Sequence, residues 1–377
     1  MLRILLLVGT RPEAIKMAPV AMELRERSGF DTLLCSTGQH REMLAQALAD
    51  FGLRPDRDLS VMTERQTLAS LSASLLAALD GLYAEEKPSL VLAQGDTTTV
   101  MTAALAAFYR HIPFGHVEAG LRSFNRRAPF PEEINRKIAG SLADLHFAPT
   151  DTARRNLLAE GAAEENIFVV GNTVIDALLW TRDRLRQEGV QPPAPVAAAL
   201  GQGKKIVLVT GHRRESYEAG FAEICRGILA VSERRRDVFF VYPVHLNPLV
   251  RGPVFSLLGG KDAILLLDPL PYRPFVALMQ AAHLVLTDSG GIQEEAPALG
   301  KPVLVMRETT ERPEGVEAGN AILVGTRAAS IAAQLNRLLD DSEAYARMSR
   351  ARNPYGDGQS AGRIADILEK RLLENHA

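Results

Sequence analysis

Leu284-Val-Leu-Thr-Asp-Ser-Gly-Gly-Ile-Gln-Glu-Glu-Ala-Pro-Ala-Leu-Gly300 is the stretch on which the fold turns. The short apolar run Leu284–Thr287 reads as a strand, Asp-Ser-Gly-Gly as a tight turn, and the remainder as a helix closed by Gly300. The same order recurs along the chain. Strand candidates are Ile4–Val8, Thr32–Cys35, Leu90–Ala93, Phe114–Val117, His146–Ala148 and Ile167–Val170. A second series follows at Ile206–Thr210, Val238–Tyr242, Ile264–Leu267, Leu284–Thr287, Val303–Met306 and Ile322–Val324. Helical patterns such as Leu68–Glu86, Thr99–Tyr109, Glu133–Ala143 and Phe221–Arg235 lie between them. The strands are continuously apolar rather than alternating, which is the mark of burial on both faces, as in a parallel sheet. Strand–helix alternation then gives right-handed crossovers and an α/β, doubly wound architecture.

The two series imply two Rossmann-like halves. The Pro- and Ala-rich segment Gln191–Gly203 reads as a loop separating them, after a helix that runs to about Arg186. A hinge is expected near Gly171. The tail Gly362–Glu374 has a helical pattern and is expected to return to the first half. The expected domains are therefore 1–171 with 357–377, and 172–356.

Composition narrows the classes. A length of 377 residues fits two domains, and 46% hydrophobic with 23% charged residues is ordinary for a globular protein. Lys+Arg is 43 against Asp+Glu 45, a formal charge of −2, so no whole-molecule field steers the chain onto nucleic acid or an anionic membrane. An anionic ligand must therefore be held by a local cluster of cations. The two cysteines, Cys35 and Cys225, form no Cys-x-x-Cys motif and read as buried small hydrophobes of a reducing compartment. No apolar stretch approaches the ~20 residues of a membrane span, and Ile4–Val8 is too short for a signal core, so a cytoplasmic location is expected.

In open α/β sheets ligands sit beyond the carboxyl ends of the strands. There this sequence concentrates polar groups: Gly9–Lys16, Gln94–Thr99, Glu118–Arg122, Gly211–Glu215, Pro243–His245, Asp288–Glu295 and Arg307–Arg312. Seven such segments in register imply a two-sided cleft. Ser289, Gly290 and Gly291 would present free N–H groups at a helix N-terminus, a ready phosphate site, with Glu294 and Glu295 one turn on as acceptors for a ribose diol. The structural alternative is a tight turn with a Ser cap and acidic first-turn residues. Arg11, Lys16, His212 and Arg312, expected on facing strand ends, favour a diphosphate clamp. Asp96, Glu118 and Glu132 supply acid–base capacity. Asp96 could instead cap the helix beginning near Thr97, and Glu132 could be a first-turn helix acid; Glu118, followed by Ala-Gly, is harder to explain structurally. His245 is either a ligand group or a packed histidine, and Arg234–Arg236 a solvated helix end. His-Glu-x-x-His, Gly-x-Ser-x-Gly, Walker A and post-strand Gly-x-Gly-x-x-Gly motifs are all lacking.

Over nearly its whole length the sequence resembles the non-hydrolysing bacterial UDP-N-acetylglucosamine 2-epimerases. The resemblance rests on Gly9–Pro19, Gly38–Met43, Gly95–Thr99, Gly115–Arg122, Gly171–Asp176, Gly211–Glu215, Asp288–Pro297 and Asn353–Gly358. It implies a glycosyltransferase-B-like fold with the active site in the interdomain cleft. It implies interconversion of UDP-GlcNAc and UDP-ManNAc, without metal or nicotinamide, by elimination of UDP through 2-acetamidoglucal and re-addition. The product would feed cell-surface polysaccharide synthesis, and a homodimer is expected. Position by position, the resemblance assigns Arg11, Lys16, His212, Ser289, Gly290, Gly291 and Arg312 to UDP or its phosphates. Glu295 falls to the ribose, and Phe275 and Leu270 to the uracil region, Leu270 standing where some relatives carry Gln. Asp96, Glu118 and Glu132 form the acid–base set, with His212 beside them. Ser123–Ala128 departs from the family's usual Thr- and Gly-rich loop. A second UDP-GlcNAc as activator would meet Gln39, His40, Arg65, Gln66, Arg213 and His245, with Glu42 where some relatives have Gln. The competing readings are a hydrolysing epimerase releasing UDP and ManNAc, a transferase on the same fold, and a regulatory protein that binds the nucleotide sugar without turnover.

Overall fold

The computed structural model describes residues 1–38, 41–61, 66–213 and 219–373, the side chains of 41–43 and 219 excepted. It divides into two compact units: Met1–Ala177 with Tyr355–Ala377, and Leu178–Pro354.

The first unit carries seven parallel strands: β1 (Leu2–Val8), β2 (Phe30–Ser36), β3 (Arg57–Asp58), β4 (Leu90–Gln94), β5 (Phe114–Val117), β6 (Leu145–Ala148) and β7 (Ile167–Val169). Their order is β3-β2-β1-β4-β5-β6-β7. The second unit repeats the plan with β8 (Lys205–Thr210), β9 (Val238–Pro243), β10 (Ile264–Leu267), β11 (Leu284–Thr287), β12 (Val303–Val305) and β13 (Ala321–Leu323), ordered β10-β9-β8-β11-β12-β13. Every pairing is parallel. The doubly wound expectation is met in both units. In each, the winding direction reverses once, between β1 and β4 and between β8 and β11, and there neighbouring post-strand loops diverge.

Burial explains the uninterrupted apolar strands. Every residue of β4, β5 and β6 is buried, because helices cover both faces. Leu5, Leu7, Val91 and Ala93 face the helices Leu68–Glu86 and Thr98–Tyr109 through Leu75, Leu79 and Ala103. In the second unit Val207, Phe240 and Leu286 pack with Phe221, Ile228 and Leu335. Cys35 and Cys225 are free and fully buried, and burial pushes both thiols up to about 12. Among the described residues no helix is long and apolar enough to cross a membrane.

One expectation fails. Gln191–Gly203 is not all loop: Ala194–Gly201 is a helix. Pro195 falls in its first turn, where the missing N–H costs nothing, and Val196 and Ala199 are buried by it. The proline-rich start drew attention from the alanine run behind it. The C-terminal helix Ser360–Leu368 belongs to the first unit, and the N–H of Ala361 donates to Asp176 at 2.8 Å.

Gly120 and Gly161 share a φ of +89°, but their surroundings differ. A Cβ at Gly120 would lie 2.3 Å from the Ala153 carbonyl oxygen, whereas one at Gly161 meets nothing within 4 Å. Gly161→Ala should therefore cost only the left-handed backbone penalty, about 1–2 kcal/mol. Gly120→Ala must also displace backbone and should cost clearly more. Urea unfolding of the two variants checks the order; equal losses would show that the close approach is relieved freely.

Candidate active site

At the reversal point of the first unit, helix Arg11–Glu26 follows β1 directly. Thr10 caps it in a full capping box with Glu13. Glu13 is buried, and its Oε2 accepts the N–H groups of Gly9 at 2.7 Å and Thr10 at 2.6 Å. Thr97, on the loop after β4, donates to Glu13 Oε1 at 2.5 Å. Burial raises the Glu13 carboxyl, against the pull of these donors. The bridge ties the two diverging loops and fixes where the next turn of the helix, bearing Lys16, begins.

Lys16 Nζ donates to both oxygens of Glu118, at 2.7 and 2.8 Å. Glu118 stands immediately after β5 with φ +62°, a left-handed backbone uncommon for a side chain of this size. Its side chain is 5% exposed. Gln94 Nε2 donates to its Oε2 in a short contact, and Asn172 Nδ2 to its Oε1 at 3.0 Å. A carboxylate so enclosed is matched by a cation and neutral donors. Beneath it, His116 Nε2 pairs with the Gly95 carbonyl oxygen at 2.7 Å.

Asp96 does not cap the following helix; Thr97 does, accepting from the Val100 N–H. Asp96 Oδ2 instead accepts from Arg136 Nε and Nη2, at 2.9 and 2.7 Å. Arg136 also reaches Glu133 Oε2 at 3.0 Å. Glu133, fully buried, accepts the N–H groups of Ser123 and Phe124 and so shapes the loop that departs from the family pattern. Glu132 opens helix Glu132–Leu142 as a first-turn acid, yet its Oε2 is buried with no hydrogen-bond partner. Arg11 lies half-buried in the first turn of its helix.

The second unit builds its reversal point likewise around a buried carboxylate. Asp288 Oδ2 accepts the N–H groups of His212 and Arg213, both at 2.8 Å, and His212 Nδ1 lies 3.3 Å from Oδ1. Burial alone would raise the Asp288 carboxyl; the His212 side chain and the two N–H groups outweigh it and hold it low. His212 stacks on His245, ring centroids 5.7 Å apart. His245 is therefore no packed core histidine, and it is exposed.

Helix Gly290–Ala298 begins beside this bridge. Ser289 occupies the cap position without a side-chain cap bond, so the capping alternative is not realised. A Cβ at Gly290 would lie 3.8 Å from Arg213 Nη2 and 3.8 Å from Arg312 Nη2: two guanidinium groups converge on a glycine at a helix N-terminus. Among the described residues Arg213 Nε is buried without a partner. Arg312 Nε is held by Glu294 in a short pair, and Glu294 is nearly inaccessible. Glu295, also buried, is reached by the Tyr272 hydroxyl at 3.4 Å, and Gly291 lies against Glu295 Oε1. Phe275 sits half-buried on helix Tyr272–Ala281, just after Leu270.

Lys16 with Glu118, His212 with Asp288, and Arg213 with Arg312 at Gly290 are thus assembled within their units. Gln66 donates to the Val61 carbonyl at 3.0 Å. Gln39, His40 and Arg65 lie outside the described residues. Sequence reasoning gave no role to Gln94, Asn172, Arg136 or Asp288. The first, second and fourth stand within three residues of strand ends, the one signal that could have marked them.

A family model described as UDP-N-acetylglucosamine 2-epimerase matches residues 22–369. The chain is 52% identical over 375 residues to the UDP-N-acetylglucosamine 2-epimerase of Escherichia coli strain K12, covering 99% of this chain and 100% of the relative. The structure of the Neisseria meningitidis UDP-GlcNAc 2-epimerase bound to UDP-GlcNAc superposes with a TM-score of 0.89 at 43% identity, over 98% of this chain and 100% of that one. The Methanocaldococcus jannaschii enzyme in complex with UDP-GlcNAc and UDP gives 0.79 at 34% identity, over 97% and 99%.

His116 and His146 pair side by side on β5 and β6, and burial lowers both to about 4. Between pH 6.5 and 4 the unfolded chain binds protons that the folded chain refuses, so stability should fall with pH across that window and level off below it. Urea midpoints measured from pH 7 to 4 check this, and His146→Asn should make the fall shallower. An unchanged slope would mean that these imidazoles charge readily in the fold.

Proposed function

The chain belongs to the UDP-N-acetylglucosamine 2-epimerase family, and from that premise we propose that it inverts C2 of UDP-GlcNAc without hydrolysis. The reading rests first on the Gly290 cradle, where two guanidinium groups and a helix N-terminus suit a nucleoside diphosphate. His212, Ser289, Gly291 and Arg312 bind UDP with it, joined by Arg11 and Lys16. Glu295 accepts from the ribose, and Leu270 and Phe275 flank the uracil. Asp96, Glu118 and Glu132 serve the sugar.

The chemistry explains that division. The C2 proton of the amino sugar has no adjacent carbonyl, so its direct removal is slow. Instead the C1–O bond breaks, its electron pair leaves on the UDP phosphate, and C2 gives its proton to a carboxylate. The C2–H electrons form the C1=C2 bond of 2-acetamidoglucal. Protonation of the other face of C2 and attack of the UDP oxygen on C1 complete UDP-ManNAc, with nothing lost to water. UDP must stay bound after its bond breaks, which calls for the clamp; proton transfer calls for acids and bases within reach.

The product would supply cell-surface polysaccharide, made in the cytoplasm by the homodimer that the resemblance implies. A second UDP-GlcNAc would bind near Gln66, Arg213 and His245, with Gln39, His40 and Arg65. The structure of the Methanocaldococcus jannaschii enzyme in complex with UDP-GlcNAc and UDP supports this reading.

Incubation with UDP-GlcNAc in D2O, followed by NMR, tests the reaction. Deuterium at C2 with intact UDP-ManNAc is expected. Free UDP with free ManNAc would instead establish hydrolysis, and an unlabelled substrate would point to a transferase or a binding protein. Glu118→Gln should lower turnover by about two to four orders of magnitude while UDP still binds by calorimetry. Near-native turnover would remove Glu118 from proton transfer. With pure UDP-ManNAc the reaction should lag until traces of UDP-GlcNAc are added; immediate hyperbolic turnover would argue against the activator.

A further inference from the structure

Asn172 is 1% exposed, at the carboxyl end of β7, two strands from Glu118. Each of its polar groups has a distinct task. Its N–H donates to the Tyr355 carbonyl oxygen at 2.7 Å, its Oδ1 accepts the Val174 N–H at 3.1 Å, and its Nδ2 donates to Glu118 Oε1 at 3.0 Å. The first bond fixes the backbone against the returning C-terminal segment. The second holds the first turn of helix Thr173–Gln187 and, in doing so, aims the amide's NH2 at Glu118.

The approach is tight on both sides. A Cβ at Gly171, whose φ is +95°, would meet Ser360 Oγ at 2.7 Å, and one at Gly356 would lie 3.4 Å from the Asn172 nitrogen. The segment around Tyr355–Ser360 therefore grips the residue that grips the carboxylate. Lys16 from helix Arg11–Glu26 donates to Glu118 directly, and His116 on its own strand feels the carboxylate's charge. Asp96, beyond Gly95 on the loop after β4, is turned to Arg136. Lys16 can supply charge from a flexible stem, but a rigid amide on each oxygen, Gln94 on Oε2 and Asn172 on Oε1, is what sets the carboxylate's plane.

We propose that Asn172 is a positioning residue for the epimerisation, holding the Glu118 carboxylate ionised and oriented, and that the C-terminal segment through Tyr355 holds Asn172. This rests on the reading of Glu118 given above. Asn172→Asp separates positioning from folding, because aspartate caps a helix as well as asparagine but offers no N–H and brings a second negative charge.

The test compares full-length wild type, Asn172→Asp and Asn172→Ser for thermal midpoint, UDP affinity, C2 deuterium exchange, and the titration of the Glu118 carboxyl by carbon-13 NMR. For Asn172→Asp the midpoint and UDP affinity should stay close to wild type. Its kcat should drop about 100-fold with KM little changed. The Glu118 titration, and the acid limb of the rate profile, should move up by about one to three pH units. Asn172→Ser, which keeps a capping oxygen and adds no charge, should lose kcat with a smaller upward movement, and it carries the test should the aspartate variant not fold. Wild-type kcat and an unmoved Glu118 titration in a folded variant would overturn the proposal. Absence of C2 exchange in wild type would sink the epimerase reading instead, while the NMR titration would still judge Asn172.

Discussion

A parallel sheet that reverses its winding must send two adjacent loops apart, and each gap here is bridged by a buried carboxylate. Glu13 ties the loop after β1 to that after β4, and Asp288 ties the loop after β8 to that after β11. The constraint is electrostatic as well as geometric. Backbone N–H groups at such a point have no strand or helix partner, and leaving one buried and unpaired costs about 1–3 kcal/mol. A carboxylate satisfies two at once and accepts from a side-chain donor as well. The helix bearing Lys16 and the turn bearing His212 and Arg213 both start from these bridges. The groups proposed to bind the ligand are thus placed by these bridges.

Glu118 shows what such placement costs and what offsets it. Its left-handed backbone carries strain of about 1–3 kcal/mol. A Gly at this position would relax the strain but remove the carboxylate. Four donor contacts from Lys16, Gln94 and Asn172 hold the side chain where the backbone would not otherwise leave it. The three residues come from the helix after β1, the end of β4 and the end of β7. Such a site tolerates no slip of register in any of those strands, so the continuous apolar runs that fix the registers are also part of how the carboxylate is held.

The parts that read clearly from the sequence are those with local signals. Short apolar runs named the strands, and a polar cluster after each run named the loops, because both depend on residues within one window. Lys16 and Glu118 were recognised separately, but they are 102 positions apart, and no periodicity announces that they meet. Asn172 was visible only as part of a motif, since its role depends on a partner 54 residues away and on a segment at the far end of the chain. Asp96 shows how a local signal leaves two readings open: its position before a helix allowed capping beside the acid–base reading, but Thr97 is one residue closer and does it, leaving Asp96 to Arg136. Helix Ala194–Gly201 escaped because proline was read as a breaker where it serves as a first-turn residue.

The near-zero formal charge takes on meaning at this scale. With a Debye length of about 8 Å at physiological salt, a net charge of −2 has almost no reach, and neither would a modest excess of lysine spread over the surface. What matters is the balance within a few ångströms. Around Gly290, Arg213 and Arg312 bring two guanidinium groups to one point, and among the described residues Arg213 Nε is buried without a partner. Around Glu118 the described contacts are of another kind: one lysine donating to both oxygens and a neutral amide on each. There the neutral amides hold the carboxylate's geometry, which is what the positioning role proposed for Asn172 requires.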